Sequence, residues 1–172
     1  MERHGLTIVY TGNGKGKTTA SLGQVVRAVG HGFKVCVIQF IKGSWPTGEA
    51  KVCTVLGGVE FHVMGSGFTW RQDREETRRA AKAGWDLAEE KISGGAYDLV
   101  VLDELTYLIH YGLIDESRIL EVIRNRPAKV HLVISGRDAS PALIAAADLV
   151  TEMREVKHPY ASGVKAQAGI EY

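Results

Sequence analysis

Cysteine is scarce in this sequence, and neither sign of charge predominates. Its 172 residues include 2 cysteines, and 21 Lys and Arg residues stand against 20 Asp and Glu residues, for a net charge of +1. Cys36 and Cys53 have no His or Cys nearby at metal-ligand spacing, which argues against a zinc site and fits a reduced compartment. The even charge gives no electrostatic reason to expect a nucleic-acid partner, because phosphate backbones select a basic face.

Long apolar runs are also missing. The longest stretch free of Asp, Glu, Lys and Arg, His4 to Gly14, is far shorter than the roughly 20 residues that a membrane-spanning helix needs. No secretory signal follows Met1. We therefore expect a cytoplasmic protein with no membrane partner. The length, with 45% hydrophobic residues, suits one compact domain over residues 1–172.

Short apolar runs alternate with longer helical patterns. Runs rich in Val, Ile and Leu are typical of strands buried on both faces of a parallel sheet. They predict strands at Leu6–Tyr10, Lys34–Phe40, Val59–Val63, Asp98–Leu102, Lys129–Ser135 and Leu149–Met153. Helices are predicted from near Lys17 to Gly30, over Arg71–Ile92 and Asp115–Arg126, and over Pro141–Ala147 with Ser140 as its N-cap. The alternation predicts an α/β fold with a mostly parallel sheet flanked by helices.

The segment "TGNGKGKTTAS", which follows the first strand, predicts a phosphate-binding loop. Its Gly16-Lys17-Thr18 ending matches the P-loop pattern, although Thr11 stands where that pattern has its first glycine. Glycines let backbone N–H groups converge on phosphate oxygens, and the following helix adds the positive end of its dipole. Lys17 is the expected phosphate cation and Thr18 the expected Mg²⁺ ligand, with Lys15 as a second positive charge. The predicted nucleotide-binding residues of the loop are Gly12, Asn13, Gly14, Lys15, Gly16, Lys17, Thr18 and Thr19.

A second motif, "YDLVVLDE", ends the fourth predicted strand in two carboxylates. Carboxyl ends of parallel strands form the edge at which α/β proteins bind ligands. We expect Asp103 or Glu104 to reach the Mg²⁺ directly or through water. The alternative is a solvated Asp-Glu pair that opens a helix. Together, the two motifs predict a relative of the P-loop NTPases (RecA-like), a class with many activities.

The loop "MGSGFTW" carries two large aromatic residues, Phe68 and Trp70. Their flat apolar faces could line a pocket for a large planar ligand. Packing of both rings into the core beneath the loop is an equally good interpretation of the spacing alone.

The chain closely resembles the P-loop corrinoid adenosyltransferases, the ATP:cob(I)alamin adenosyltransferases. The resemblance extends from residue 11 to Tyr172. Thr11 at the first-glycine position is itself typical of that family. It rests on the segments "TGNGKGKTTAS", "QFIKG" with "TGE", "GFTW", "YDLVVLDELTYLIHYGLI", "SGRDAS", "ADLVTEM" and "KHPYASGVKAQAGIEY".

The resemblance implies transfer of the 5′-deoxyadenosyl group of MgATP to the Co(I) centre of a reduced corrinoid, with release of inorganic triphosphate. It implies that Phe68 and Trp70 pack at the lower face of the corrin, and that Lys17 and Glu104 act on the leaving triphosphate and its Mg²⁺. Arg137 is a candidate phosphate or corrinoid contact. Arg27, Glu152 and Met153 would border the nucleotide. The resemblance further implies a homodimer, an external electron donor such as a reduced flavoprotein, and an ordered C-terminal block at the nucleotide site, which composition alone would predict to be a frayed tail.

Two other functions are alternatives to adenosyl transfer. A P-loop ATPase or nucleotide kinase would act on the γ-phosphate and release orthophosphate or ADP. A corrinoid carrier would bind the cofactor tightly without ATP turnover. The identity of the phosphorus product separates these three functions.

Overall fold

The computed structural model describes residues 4–41, 47–65 and 74–171. The sheet has six strands: β1 (Thr7–Thr11), β2 (Val35–Gln39), β3 (Val59–Val63), β4 (Leu99–Asp103), β5 (His131–Ser135) and β6 (Leu149–Glu152). The helices are α1 (Lys17–Gly30), α2 (Gly48–Leu56), α3 (Arg74–Ser93), α4 (Leu105–His110), α5 (Glu116–Asn125) and α6 (Pro141–Ala146), followed by a 3₁₀ turn at Pro159–Ser162.

The strand order is β3-β2-β4-β5-β1-β6, and every pairing among the described strands is parallel. Each of the six predicted strands overlaps its observed counterpart. The predicted α/β fold of the P-loop NTPase type is therefore confirmed. Because β5 lies between β1 and β4, the phosphate loop and the acidic strand end face each other across a single strand.

Helices pack against both faces of the sheet. On one face, β-strand residues such as Tyr10, Val37 and Val101 pack against Val25 and Ala28 of α1. The opposite face packs against α3, α4, α5 and α6. The α3 stripe predicted from the sequence is buried, at Ala81, Trp85, Ala88 and Ile92. Ser140 caps α6 by accepting a hydrogen bond from the Leu143 amide at 3.0 Å, also as predicted.

Two helices were not predicted. α2 is rich in Val, Cys and Thr, which favour helices weakly, and it depends on Thr47, whose Oγ1 accepts from the Ala50 amide at 3.3 Å. α4 has only six residues and follows directly on Glu104. The acidic pair thus does precede a helix, but Asp103 is 1% exposed and is not the solvated residue of the alternative interpretation.

Both described cysteines are free and buried. Burial raises the pKa of the Cys36 thiol to about 12, with smaller effects from Glu60 and Lys91, which agrees with its prediction as a small apolar residue of a strand. Within the described part of the chain, no helix is both long and apolar enough to cross a membrane.

Candidate active site

The phosphate loop wraps around the side chain of Lys17. Gly12 and Gly16 have φ of 96° and 107°, in the left-handed region that favours glycine. The Lys17 ammonium donates to the carbonyl oxygens of Gly12 and Gly14, both at 2.7 Å. Burial lowers the pKa of Lys17, and Arg137 adds to this effect, whereas the carboxylates of Glu104, Asp103 and Asp138 oppose it. The loop therefore holds its cation through its own carbonyl groups.

The loop lies directly against the segment that follows β6. The Gly14 amide donates to the Met153 carbonyl oxygen at 2.7 Å, and the Met153 amide donates to Thr11 at 2.8 Å. A Cβ at Gly12 would lie 2.4 Å from the Met153 carbonyl oxygen, and one at Gly14 would lie 2.7 Å from the Arg154 carbonyl carbon. These two glycines are therefore required by close packing within the protein.

Thr11 has a structural role of its own. The residue ends β1 and is buried, and its Oγ1 accepts a hydrogen bond from the Ala139 amide at 3.1 Å. The side chain thus ties the phosphate loop to the segment after β5. A glycine at this position could not make that contact.

Asp103 joins three strand ends. Its carboxylate accepts from Thr18 Oγ1 at 3.1 Å, from Ser135 Oγ at 2.5 Å and from Gln39 Nε2 at 2.9 Å. Gln39 Oε1 is buried and has no hydrogen-bond partner among the described residues. Asp103 therefore orients the Thr18 hydroxyl at the start of α1.

Glu104 adopts an unusual backbone conformation, with φ of 67° and ψ of 22°. Its amide donates to Ser135 Oγ at 3.1 Å, in the network that also holds Asp103. Non-glycine residues in the left-handed region cost free energy and cluster at functional sites. This conformation sends the chain directly from the strand into α4, leaving Glu104 half-buried beside the phosphate loop.

A cavity of about 820 Å³ opens at this edge of the sheet. Of the predicted residues, those that line it are Asn13, Gly14, Lys15, Gly16, Lys17, Thr18, Thr19, Glu104 and Arg137. Four other predicted residues do not line the cavity. Gly12 belongs to the loop, and the residues close to the loop are Asp103, Glu152 and Met153. Phe68 and Trp70 fall outside the described residues.

Arg27 is placed apart from the loop. It is an exposed residue in the second half of α1, and its guanidinium donates to Gln24 Oε1 at 3.1 Å. It does not line the cavity.

Several lining residues were not predicted individually. Glu49, Val52, Cys53 and Leu56 come from α2, Tyr107 comes from α4, and Gly169, Ile170 and Glu171 come from the C-terminal block. The "TGE" segment is part of the family resemblance, but the resemblance implies no role for its glutamate. Glu171 pairs with Lys15, which brings the C-terminal block onto the phosphate loop. Composition alone would have predicted a frayed tail there.

No group of three or more His, Cys, Asp or Glu side chains in the described ranges is arranged to hold a metal ion. Oxygen donors at this edge of the sheet include the Thr18 hydroxyl, which donates to Asp103, and the carboxylates of Asp103 and Glu104.

A glycine loop that encloses a lysine, facing an acidic strand end across one strand, is the arrangement of the P-loop NTPase-like fold. The family model described as ATP:corrinoid adenosyltransferase BtuR/CobO/CobP matches residues 3–172. The chain belongs to this family, and the predicted enzyme class is confirmed.

Named relatives cover nearly the whole chain. The corrinoid adenosyltransferase of Escherichia coli K12 is 45% identical over 173 residues, which are 100% of this chain and 88% of the relative. The corrinoid adenosyltransferase CobA of Salmonella typhimurium is 46% identical with the same coverage. That of Pseudomonas aeruginosa is 46% identical over 99% of this chain and 85% of its own length.

Proposed function

We propose that the protein transfers the 5′-deoxyadenosyl group of MgATP to the Co(I) centre of a reduced corrinoid. The Co(I) electron pair forms a bond to C5′, the C5′–O5′ bond breaks, and its electrons leave with inorganic triphosphate. Cobalt is formally oxidised from Co(I) to Co(III) in this step. Family membership supports the reaction class, and the observation that carries the proposal is the Lys17–Thr18 corner, which opens into a cavity large enough for a nucleotide.

The reaction requires little acid–base catalysis from the protein. The nucleophile belongs to the corrinoid, so the chain's task is to position two substrates and stabilise the charge that develops on the leaving group. Lys17, Lys15 and the backbone N–H groups of the glycine loop suit that task. The Lys17 ammonium already lies inside the loop, so little reorganisation is needed when phosphate arrives. Arg137, exposed at the cavity wall, supplies a further positive charge toward phosphate or corrinoid.

The donor set suits Mg²⁺. This ion prefers oxygen ligands in octahedral geometry and retains several waters. Thr18 would supply the direct hydroxyl ligand, while Asp103, already engaged by Thr18, Ser135 and Gln39, and Glu104 would act directly or through bound water. The unpartnered Gln39 Oε1 is a suitable acceptor for such a water. When bound, Mg²⁺ neutralises charge on the triphosphate.

Other parts of the proposal rest on the family resemblance. Phe68 and Trp70 would pack at the lower face of the corrin and leave cobalt without an axial oxygen or nitrogen donor. Arg27, Glu152 and Met153 would border the nucleotide. We also propose that residues 1–172 act as one domain in a cytoplasmic homodimer, which light scattering tests, and that an external donor such as a reduced flavoprotein supplies electrons.

Anaerobic incubation with ATP, Mg²⁺ and a chemically reduced corrinoid tests the proposal. The expected result is the absorption spectrum of a Co–C product that reverts on exposure to light. ATP consumption with no change at cobalt would instead favour an ATPase or kinase. Tight corrinoid binding without ATP consumption would favour a carrier.

A further inference from the structure

The C-terminal block borders the cavity while burying little of its own surface. From residue 157 to Ile170, every residue is exposed except His158, which is half-buried. Ile170 is 82% exposed although it lines the cavity. Segments with few buried apolar contacts open at a low cost in free energy. We therefore expect the block to separate from the cavity more readily than any strand of the sheet.

Glu171 is the better-buried end of this block. Gly169, with φ of 78°, turns the chain, and the Glu171 amide donates to the Gln167 carbonyl oxygen at 2.8 Å. The Glu171 carboxylate accepts a hydrogen bond from the Lys15 ammonium of the phosphate loop. Its side chain is 13% exposed, whereas that of Lys15 is 52% exposed. An ion pair thus holds the end of the block on the loop.

Both partners of this ion pair line the cavity in which the triphosphate would lie. A triphosphate carries several negative charges, so it attracts the Lys15 ammonium and repels the Glu171 carboxylate. The ammonium has three donors and could bind both anions at once. The carboxylate would then lie within a few ångströms of a phosphate of the same sign, which is unfavourable. Separation of Glu171 from Lys15 removes this repulsion.

We propose that Glu171 competes with the triphosphate group for Lys15, so that the C-terminal block opens when ATP binds and closes when triphosphate leaves. Glu171 then acts as an internal anion that lowers the affinity of the loop for triphosphate and favours its release. This inference rests on the proposed binding of phosphate at the loop, but not on the transfer of the adenosyl group.

The affinity for inorganic triphosphate tests the competition without a corrinoid. Dissociation constants are measured with Mg²⁺ at low ionic strength by titration calorimetry. Glu171→Gln keeps the size of the side chain and removes its charge. We expect this variant to bind triphosphate about 2- to 5-fold more tightly than the wild type, which is the range for one partly exposed ion pair.

Two further variants separate competition for Lys15 from general repulsion. Glu155→Gln is the matched control, because Glu155 is an exposed carboxylate that lines the same cavity. We expect it to change the affinity less than Glu171→Gln does. In a Lys15→Ala background, the effect of Glu171→Gln should fall to that of Glu155→Gln, since the residue for which both anions compete is gone.

Limited proteolysis reports on the block itself. Lys165 is exposed within the block, and mass spectrometry follows trypsin cleavage after it. For the wild type we expect added triphosphate to speed this cleavage. Glu171→Gln should be cleaved at the faster rate without triphosphate, whereas Glu155→Gln should follow the wild type.

Three results would overturn the competition. One is equal binding of triphosphate by the wild type and Glu171→Gln. Another is weaker binding by Glu171→Gln, which would show that Glu171 positions Lys15 for phosphate. The third is slower cleavage after Lys165 when triphosphate is added, because the block would then close on the ligand.

The same measurements distinguish this inference from the proposed function. If neither the wild type nor Glu171→Gln binds triphosphate, the phosphate site and the competition for Lys15 are both contradicted. If Glu171→Gln binds triphosphate more tightly but no Co–C product forms with ATP and reduced corrinoid, the transfer is contradicted and the competition is supported.

Discussion

Lys17 and Thr18, adjacent in sequence, are held by different parts of the fold. The Lys17 ammonium is bound by carbonyl groups of its own loop, whereas the Thr18 hydroxyl is bound by Asp103 at the end of β4. A bound phosphate would therefore contact a cation that is held by the nearby backbone. It would also contact a hydroxyl that is held by a residue from a distant strand. Preorganised groups of this kind stabilise developing charge without reorganising during the reaction.

Replacing Lys17 with alanine tests whether its ammonium group binds the triphosphate. We expect Lys17→Ala to lower adenosyl transfer by about 10²- to 10³-fold, because the triphosphate loses its central positive contact. Inorganic triphosphate should also bind more weakly by calorimetry. Lys129→Ala, which removes an exposed lysine just before β5 begins, is the control and should retain activity. Near-normal turnover of Lys17→Ala would contradict the role of Lys17 in phosphate binding.

The Mg²⁺ dependence of activity tests the predicted role of Glu104. Glu104→Gln keeps the size of the side chain but removes its negative charge, so we expect a higher Mg²⁺ concentration at half-maximal activity. Glu121→Gln, an exposed position on α5, serves as the control. If the Mg²⁺ dependence of Glu104→Gln is unchanged, the metal contact is made by Asp103 or by water alone.

At this scale the sequence predicted roles that depend on spacing. The Gly-Lys-Thr ending predicted the position of Lys17 and Thr18 at the loop, and the end of an apolar strand predicted that of Asp103 and Glu104 at the same edge of the sheet; their roles stay predictions. Roles that depend on distant contacts were not predictable in the same way. Thr11 binds a residue 128 positions away, and Lys15 pairs with one 156 positions away.

Among the elements, the segment that directly follows β6 constrains the phosphate loop. The backbone of Met153 and Arg154 in that segment lies where side chains at Gly12 and Gly14 would be, so the loop packs closely against it. Sequence periodicity predicted both elements, but it could not show their contact, because β1 and β6 pair across almost the full chain.

Gly12→Ala tests this contact. The new Cβ would meet the Met153 carbonyl oxygen at a residue with φ of 96°, so we expect the free energy of unfolding to fall by about 1–3 kcal/mol and ATP binding to weaken. Gly23→Ala is the matched control, since it lies within α1 with nothing within 4 Å of the added carbon. That variant should gain about 0.5–1 kcal/mol. Equal stability of the two variants in urea would contradict the close approach.

A charged cluster ties the edge strand β3 to α3. Glu60 accepts from Tyr97, and it pairs with Lys91 at 2.9 Å and with His62 at 2.6 Å. The hydrogen bond from Tyr97, followed by that from Lys91, lowers the pKa of Glu60 from 4.5 to about 2. The cluster therefore joins β3 to the end of α3 and to the segment that precedes β4.

Because the folded pKa of Glu60 lies below the unfolded one, the stabilisation is present above pH 4.5 and is lost as the pH falls toward 2. We expect urea unfolding to show a steeper loss of stability between pH 5 and about 3 in the wild type than in Glu60→Gln. Glu121→Gln should follow the wild type. Parallel pH profiles for wild type and Glu60→Gln would contradict the role of this cluster.

The aromatic loop after β3 provides a kinetic test. Phe68→Ala or Trp70→Ala should impair the reaction that starts from Co(II) far more than the reaction that starts from prereduced Co(I), because an apolar wedge would assist reduction. Rates from both oxidation states, measured for each variant, check this. Equal losses from the two starting states would count against the wedge.

α2 marks the limit of what periodicity could predict among the elements. Its residues Val52, Cys53 and Leu56 line the cavity, while Val55 is exposed, so the helix lacks the regular apolar stripe that packs a surface helix on a core. The part of the cavity that α2 lines, including Glu49, was therefore not predicted.

For the whole molecule, the alternation of strands and helices was enough to predict the class of fold. The order β3-β2-β4-β5-β1-β6 was not contained in that alternation, because buried parallel strands have similar patterns whatever their neighbours. This order brings Thr18 to Asp103, 85 positions apart, and assembles the cavity from loops, α2 and the C-terminal block.

Adenosyl transfer is tested most directly by the phosphorus product of a single turnover. Stoichiometric enzyme, MgATP and a chemically reduced corrinoid are mixed anaerobically, and the products are identified by phosphorus NMR while absorption follows the Co–C bond. We predict inorganic triphosphate in the same amount as the Co–C product. Formation of ADP or orthophosphate in place of triphosphate would contradict attack at C5′ and would assign the glycine loop to γ-phosphate chemistry.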